Sequence, residues 1–257
     1  MIIEYHRPQT LEEALTLLAR PQPLTLPVAG GSALNKPSQK EFAAVDLQAL
    51  GLDKAQKRGS SLSLGATLSL QKLLDGAGGW HLPPALVRAI EHEATYNLRQ
   101  VATVAGTLVA ADGRSPFTTA MLALDAELVL QPGDEAICLG NLLPFRPDLL
   151  RGRLITEVKI PLNARLAYEY VARTPADLPI VCAALAAWPS GRARLALGGY
   201  NRAPVLALDG MEAGGLEAAA RSAYSQAADQ WASAEYRQEI AGVLALRCSQ
   251  QVQGSAE

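Results

Sequence analysis

Two short runs of small residues carry the chemistry this chain offers: Val28-Ala29-Gly30-Gly31-Ser32-Ala33 and Thr103-Val104-Ala105-Gly106-Thr107. Each reads as a turn that follows or lies within a β-like run, with backbone N–H groups left bare. Successive N–H groups in such a turn form a concave nest for an anion, and glycine lets the backbone approach a phosphate closely. Ser32 adds a hydroxyl donor. Two turns of this kind in one domain would hold the two phosphates of a dinucleotide. No Gly-Lys-Ser/Thr follows either turn, and G-x-G-x-x-G is absent, so neither is a P-loop or a Rossmann fingerprint.

A third segment, Asp112-Gly113-Arg114-Ser115-Pro116, follows the second turn. Asp112 would accept a hydrogen bond from a ribose or ribityl hydroxyl, and Arg114 would face a phosphate. An ordinary Asp-Gly turn with a solvated arginine accounts for the same residues equally well.

Other chemistries find no support. The chain has no G-x-S-x-G, no H-E-x-x-H and no EF-hand loop. His6, His81 and His92 lack metal-ligand spacing. Cys138, Cys182 and Cys248 form no C-x-x-C pair and read as small buried hydrophobes of a reducing compartment. No catalytic residue and no metal ligand is therefore assigned. A net charge of −2 and 5% aromatic residues argue against a nucleic-acid partner. With 49% hydrophobic and 19% charged residues, 257 residues can bury a sizeable core. The N-terminal residues lack the basic and apolar regions of a signal peptide, and no apolar run reaches membrane-span length. A soluble, cytoplasmic protein is the expectation.

The elements that must position these turns follow from periodicity and caps. Thr10-Leu11-Glu12-Glu13 has capping-box form, with Glu13 expected to reach back to Thr10, and the helix it starts stops at Pro21. Strands are expected over 24–29, 43–47 and 61–64. A helix should follow through Leu70, Leu73 and Leu74, another from Pro83-Pro84, and another from Ser115-Pro116. Strands at 128–130 and 154–160 lead to a domain boundary at Pro161. Beyond it, strands at 168–173, 180–188 and 193–197 precede helices near 216–230 and 234–248. That order predicts a small α+β domain with helices on one face of an antiparallel sheet. The end, 251–257, is expected to fray.

Several segments in order resemble the FAD-binding (medium) subunit of the molybdenum hydroxylases, the carbon monoxide dehydrogenase/xanthine dehydrogenase family. Ala29 to Ala33 is similar to its Ala-Gly-Gly-x-Ser loop, and Val45-Asp46-Leu47 to the strand end that follows. Gly65-Ala66-Thr67-Leu68-Ser69 is similar to its Gly-Ala-x-x-Ser/Thr turn. Arg99 to Thr107 resembles its Arg-Asn-x-Ala-Thr-Ile-Gly-Gly-Asn segment, and Leu122 to Ala126 its Leu-Ala-Leu-Asp-Ala helix end. Leu154 to Pro161, Leu197 to Val205 and Ser233 to Arg237 resemble later segments.

The resemblance implies an α+β fold: a two-subdomain FAD-binding domain of the vanillyl-alcohol-oxidase type over 1–161, then a C-terminal domain over 162–257. It implies FAD held by Val28, Ala29, Gly30, Gly31, Ser32, Ala33, Leu47, Thr103, Ala105, Gly106, Thr107, Asp112 and Ile155. It also implies electron transfer within a complex. A molybdopterin-binding large subunit would oxidise substrate, a 2Fe-2S small subunit would relay electrons, and an acceptor such as NAD would receive them. The pattern departs at Ala105, Thr107, Pro116 and Leu178. An alanine at a position needing positive φ would cost about 1 kcal/mol or more. A flavin-less paralogue, acting as a binding or assembly module, is the alternative those departures favour.

Overall fold

The computed structural model describes residues 1–34, 40–76, 79–211 and 214–254. In chain order its elements are β1 (Ile2–His6), α1 (Leu11–Leu18), β2 (Thr25–Val28), β3 (Phe42–Asp46), β4 (Ala55–Arg58), β5 (Ser61–Gly65), α2 (Leu70–Asp75), α3 (Pro84–Glu93), α4 (Tyr96–Val101), α5 (Val104–Ala110) and α6 (Pro116–Ala123). Then come β6 (Glu127–Gln131), β7 (Glu135–Cys138), α7 (Leu139–Leu142), α8 (Arg146–Leu149), β8 (Leu154–Pro161), β9 (Arg165–Val171), β10 (Val181–Ala187), β11 (Ala193–Gly198), β12 (Val205–Gly210), α9 (Leu216–Ala223) and α10 (Ala234–Gly254). These form two compact units. The first takes Met1–Trp80, Tyr96–Ala110 and Glu127–Lys159; the second takes His81–Thr95, Ala111–Ala126 and Ile160–Glu257.

The first unit holds two sheets. One has the order β1-β3-β2 with parallel pairing, and all five residues of β3 are buried. Helix α1 sets Ala14 and Leu18 against Val45, Leu47 and Leu154. Thr10 caps that helix by accepting from Glu13 N–H at 3.2 Å. The Glu13 carboxylate reaches Gln9 N–H at 3.0 Å, one residue before the position a capping box predicts. The other sheet has the order β4-β5-β8-β6-β7. Sequence periodicity does not single out β1, β4 or β7, whose short runs carry exposed or charged residues. Ser69 caps α2, accepting from Lys72 N–H at 3.2 Å.

The second unit is built on the antiparallel sheet β12-β11-β10-β9. On one face Ala167, Val181, Ala183, Leu185, Leu195 and Leu197 pack with Leu216 and Ala220 of α9 and Ala241, Leu244 and Cys248 of α10. On the other face Cys182 Sγ lies 3.7 Å from Thr119 Oγ1 on α6, and Tyr168 Oη lies 3.0 Å from His92 Nδ1 on α3. Helices thus cover both faces, which corrects the one-face expectation. The reason is visible in β10: Val-Cys-Ala-Ala-Leu-Ala-Ala has no polar alternation, as a strand covered on both sides requires. Helix α10 runs to Gly254, so fraying does not begin at Gln251; residues 255–257 lie outside the described residues. No described helix is long and apolar enough to cross a membrane.

One half-buried acid in this unit gives its stability a pH dependence. Glu93 accepts from Ser115 Oγ at 2.7 Å and from Phe117 N–H at 3.0 Å, at the start of α6. Burial pushes its carboxyl up to about 7; the nearby Asp112 adds to this, while the two hydrogen bonds pull the other way. The folded chain therefore holds this proton more tightly than the unfolded chain does. The resulting stabilisation is fully present below the ordinary value of 4.5 and is lost as pH rises through about 7. Thermal melts across that window should show the parent losing up to about 3 kcal/mol that Glu93→Gln does not lose. Parallel pH profiles for the two proteins would contradict it.

Candidate functional site

The first small-residue turn leaves the end of β2, where Val28 C=O accepts from Leu47 N–H at 2.9 Å. A Cβ built on Gly30 would overlap the carbonyl of Val101, lying 2.5 Å from its carbon and closer still to its oxygen. The turn therefore rests on the last peptide of α4, and only glycine fits there. Gly31 has φ +68°, and a Cβ there would meet only Val28 Cγ1 at an ordinary 3.9 Å, so its glycine is required by conformation rather than by room. The N–H groups of Gly30, Gly31, Ser32 and Ala33 donate no backbone hydrogen bond to a described residue. Ser32 and Ala33 are exposed. A run of N–H donors with one added hydroxyl and no acceptor side chain suits an anion such as a phosphate.

The second turn is built differently. Thr103 to Thr107 is the start of α5, and not a turn on a β-run. Val104 N–H donates to Leu68 O at 2.8 Å and Ala105 N–H to Ala66 O at 3.1 Å. Gly106 N–H donates to Thr103 Oγ1 at 3.2 Å, and Thr107 N–H to Thr103 O at 2.8 Å. All four donors are engaged, so the bare-donor expectation fails here. The propensity of Thr and Val for strands is overridden by these local bonds, with Thr103 acting as the cap. Gly106 is small for that cap: a Cβ on it would come within 2.7 Å of Thr103 Oγ1. Ala105 is buried in the helix and has no positive φ, which removes the strain its replacement of glycine implied.

The remaining expected residues are scattered. Leu47 and Ile155 are buried, at 5% and 4% exposure. Leu47 belongs to the core under α1, and Ile155 pairs with Leu130 across β8 and β6. Asp112 falls in the second unit, exposed, with Oδ1 accepting from Arg114 N–H at 2.8 Å. That is an Asx-type turn. Gly113 N–H donates to Asn201 O at 2.9 Å. Arg114 donates to Leu178 O and, at 3.0 Å, to Pro179 O, and its guanidinium lies 4.8 Å from the Trp231 ring centroid. Its side chain is thus held by its own unit, neither solvated, as the plain-turn alternative has it, nor free to face a phosphate. Pro116 is the first residue of α6, capped by Ser115. Ala66 and Leu68 were not expected at the site, yet their carbonyls seat α5. The only signal for them was the order of the Gly65 to Ser69 segment.

A donor-rich turn seated on a helix-end peptide, in a unit of one parallel three-stranded sheet and one five-stranded sheet, offers an anion a place in an α+β module. Residues 1–163 match the family described as the FAD binding domain in molybdopterin dehydrogenase, and the chain belongs to that family. It is 32% identical over 251 residues to the uncharacterized protein YgfM of Escherichia coli K12, covering 95% of this chain and 94% of that one. It is 24% identical over 276 residues to the glyceraldehyde dehydrogenase medium chain of Sulfolobus acidocaldarius, covering 96% and 97%. The fold is that of a chain in the reconstituted carbon monoxide dehydrogenase from Oligotropha carboxidovorans, with a TM-score of 0.83 over 98% of each chain at 23% identity. Membership places the chain among the FAD-binding domains of molybdopterin dehydrogenases, which are oxidoreductases, and the cofactor of that family is FAD.

Proposed function

We propose that this chain holds FAD by its pyrophosphate on Gly30 to Ala33, accepts electrons from a 2Fe-2S small subunit served by a molybdopterin-binding large subunit, and passes them to an acceptor such as NAD. The observation that carries the reading is the first turn: four backbone donors that bond no described backbone acceptor and the Ser32 hydroxyl, on a floor made by Val101. Bound FAD supplies the redox chemistry. The chain supplies binding and orientation. Val28 and Ala29 set the entry to the turn. Thr103, Ala105, Gly106 and Thr107 act as a rigid neighbouring helix start rather than as a second row of donors. Leu47 and Ile155 contribute backing from the core.

In this reading residues 1–161 are a two-subdomain FAD-binding domain of the vanillyl-alcohol-oxidase type, of which 81–95 and 111–126 pack in the second unit. Residues 162–257 are the C-terminal domain, and the complex is cytoplasmic. Relatives described as a medium chain and as a subunit of a dehydrogenase complex support a multi-subunit setting. The engaged donors of Val104 to Thr107 favour the second reading, a flavin-less assembly module.

FAD titration of the purified full chain, followed by flavin absorbance and fluorescence, separates the two. The expected result is a saturable flavin complex in the parent and none in Gly31→Val, because a β-branched residue is strained at φ +68°. The melting temperature should change by only a few degrees. Normal binding by Gly31→Val would sink this placement of the pyrophosphate, and a parent chain that takes up no FAD would favour the assembly module.

A further inference from the structure

Asp46 ends β3 and is 4% exposed. A carboxylate taken out of water must find partners. Its Oδ1 accepts from Gln48 N–H at 2.9 Å, its Oδ2 accepts from Tyr5 Oη at 2.5 Å, and Arg7 Nε lies 3.7 Å from the same oxygen. Tyr5 belongs to β1, on one side of β3. On the other side Asp46 pairs with Val28, the last residue of β2, and Leu47 N–H holds the Val28 carbonyl at 2.9 Å. One carboxylate thus ties the outer strand to the turn at 48–50, where the neighbouring strand runs out into Ala29 to Ala33. The Tyr5 ring is 62% exposed, so burial does not explain where it sits, whereas its hydrogen bond to Asp46 does.

We infer that Asp46, braced by Tyr5, is a positioning residue for the phosphate turn: it fixes the direction in which the backbone leaves Val28, and so the aim of the N–H groups of Gly30 to Ala33. The inference rests on the FAD reading above. It predicts a graded effect on FAD affinity that follows the hydrogen bonds rather than overall stability. In FAD titrations of the full chain, Asp46→Ala should weaken binding about tenfold or more, and Tyr5→Phe, which loses one bond, about threefold. Asp46→Asn should restore affinity to within about twofold, since its carbonyl still accepts from Gln48 and its amide can donate to the Tyr5 oxygen.

Val252→Ala, which thins the core of the second unit, serves as a control that lowers the melting temperature without touching the turn. It should leave the FAD dissociation constant unchanged. Parent-like affinity in Asp46→Ala, alongside lost binding in Gly31→Val, would overturn the positioning role. Parent-like binding in Gly31→Val would instead overturn the FAD placement itself. If Asp46→Ala does not fold, Tyr5→Phe decides: a parent-like constant there overturns the proposal.

Discussion

Gly30→Ala is expected to abolish FAD binding and to destabilise the first unit. The added methyl would meet the Val101 carbonyl, with its carbon only 2.5 Å away. Both clashing atoms are backbone, and Ala102 N–H is already bonded to Leu98 O at 2.8 Å, so that peptide is not free to rotate aside. Relief must come from the turn, which lifts off its floor and loses the alignment of its donors. Overpacking of this kind costs about 1–3 kcal/mol, and more where backbone must move. A drop of about 5 °C in melting temperature would accompany the loss of flavin. Gly31→Ala makes a useful contrast: nothing crowds its Cβ, and the left-handed φ alone costs about 1–2 kcal/mol. A Gly30→Ala protein that binds FAD no more weakly than Gly31→Ala would show that the Val101 floor does not set the turn.

Arg237→Met should cost the second unit about 3–5 kcal/mol, or about 10 °C in a thermal melt. The Arg237 side chain is fully buried. Its guanidinium donates to Ala227 O at 2.8 Å, Ile180 O at 3.2 Å, Ala232 O at 3.2 Å and Asp229 Oδ1 at 2.8 Å, and lies 5.1 Å from the Tyr200 ring centroid. A hydrophobic replacement can be neutral when both members of an ion pair are exchanged together. Here Ala227 O and Ile180 O, which are main-chain carbonyls, and the Asp229 carboxylate lose the donor that Arg237 supplies, while Ala232 O keeps Asp229 N–H at 3.1 Å. Arg237→Lys keeps the charge but not the planar fork, and should fall between the two. A Met variant that melts within about 2 °C of the parent would refute this account.

Neither residue announces its role in the same way. The turn at Gly30 was legible as a candidate in Gly-Gly-Ser after an apolar run, although the Val101 carbonyl beneath it was not. Arg237 was not. On the helix Ala234 to Gly254 it resembles any solvated arginine, and only the convergence of the 180, 227 and 232 segments makes it a buried hub. Glu93 is a similar case: the last residue of an amphipathic helix reads as a surface acid until α6 is seen to start against it.

Local chemistry alone determined a good deal here. Thr10, Ser69 and Ser115 cap their helices because a short hydroxyl side chain satisfies N–H groups two or three residues on, and that needs no partner from afar. The order of small-residue segments determined the family, since each depends on a backbone conformation that few residue types allow. Tertiary structure decided what depends on a second segment. Thr103 to Thr107 became a helix start when the carbonyls of Ala66 and Leu68 took its first two donors, so the two turns that look alike in sequence are chemically unequal. Sheet β9 to β12 acquired a second covered face because α3 and α6, far upstream, pack there, which strand periodicity in so small-residued a sheet does not encode. Periodicity reports which side of an element is apolar; which segment arrives to cover it, and which donors are left over for a ligand, is settled only when the chain closes on itself.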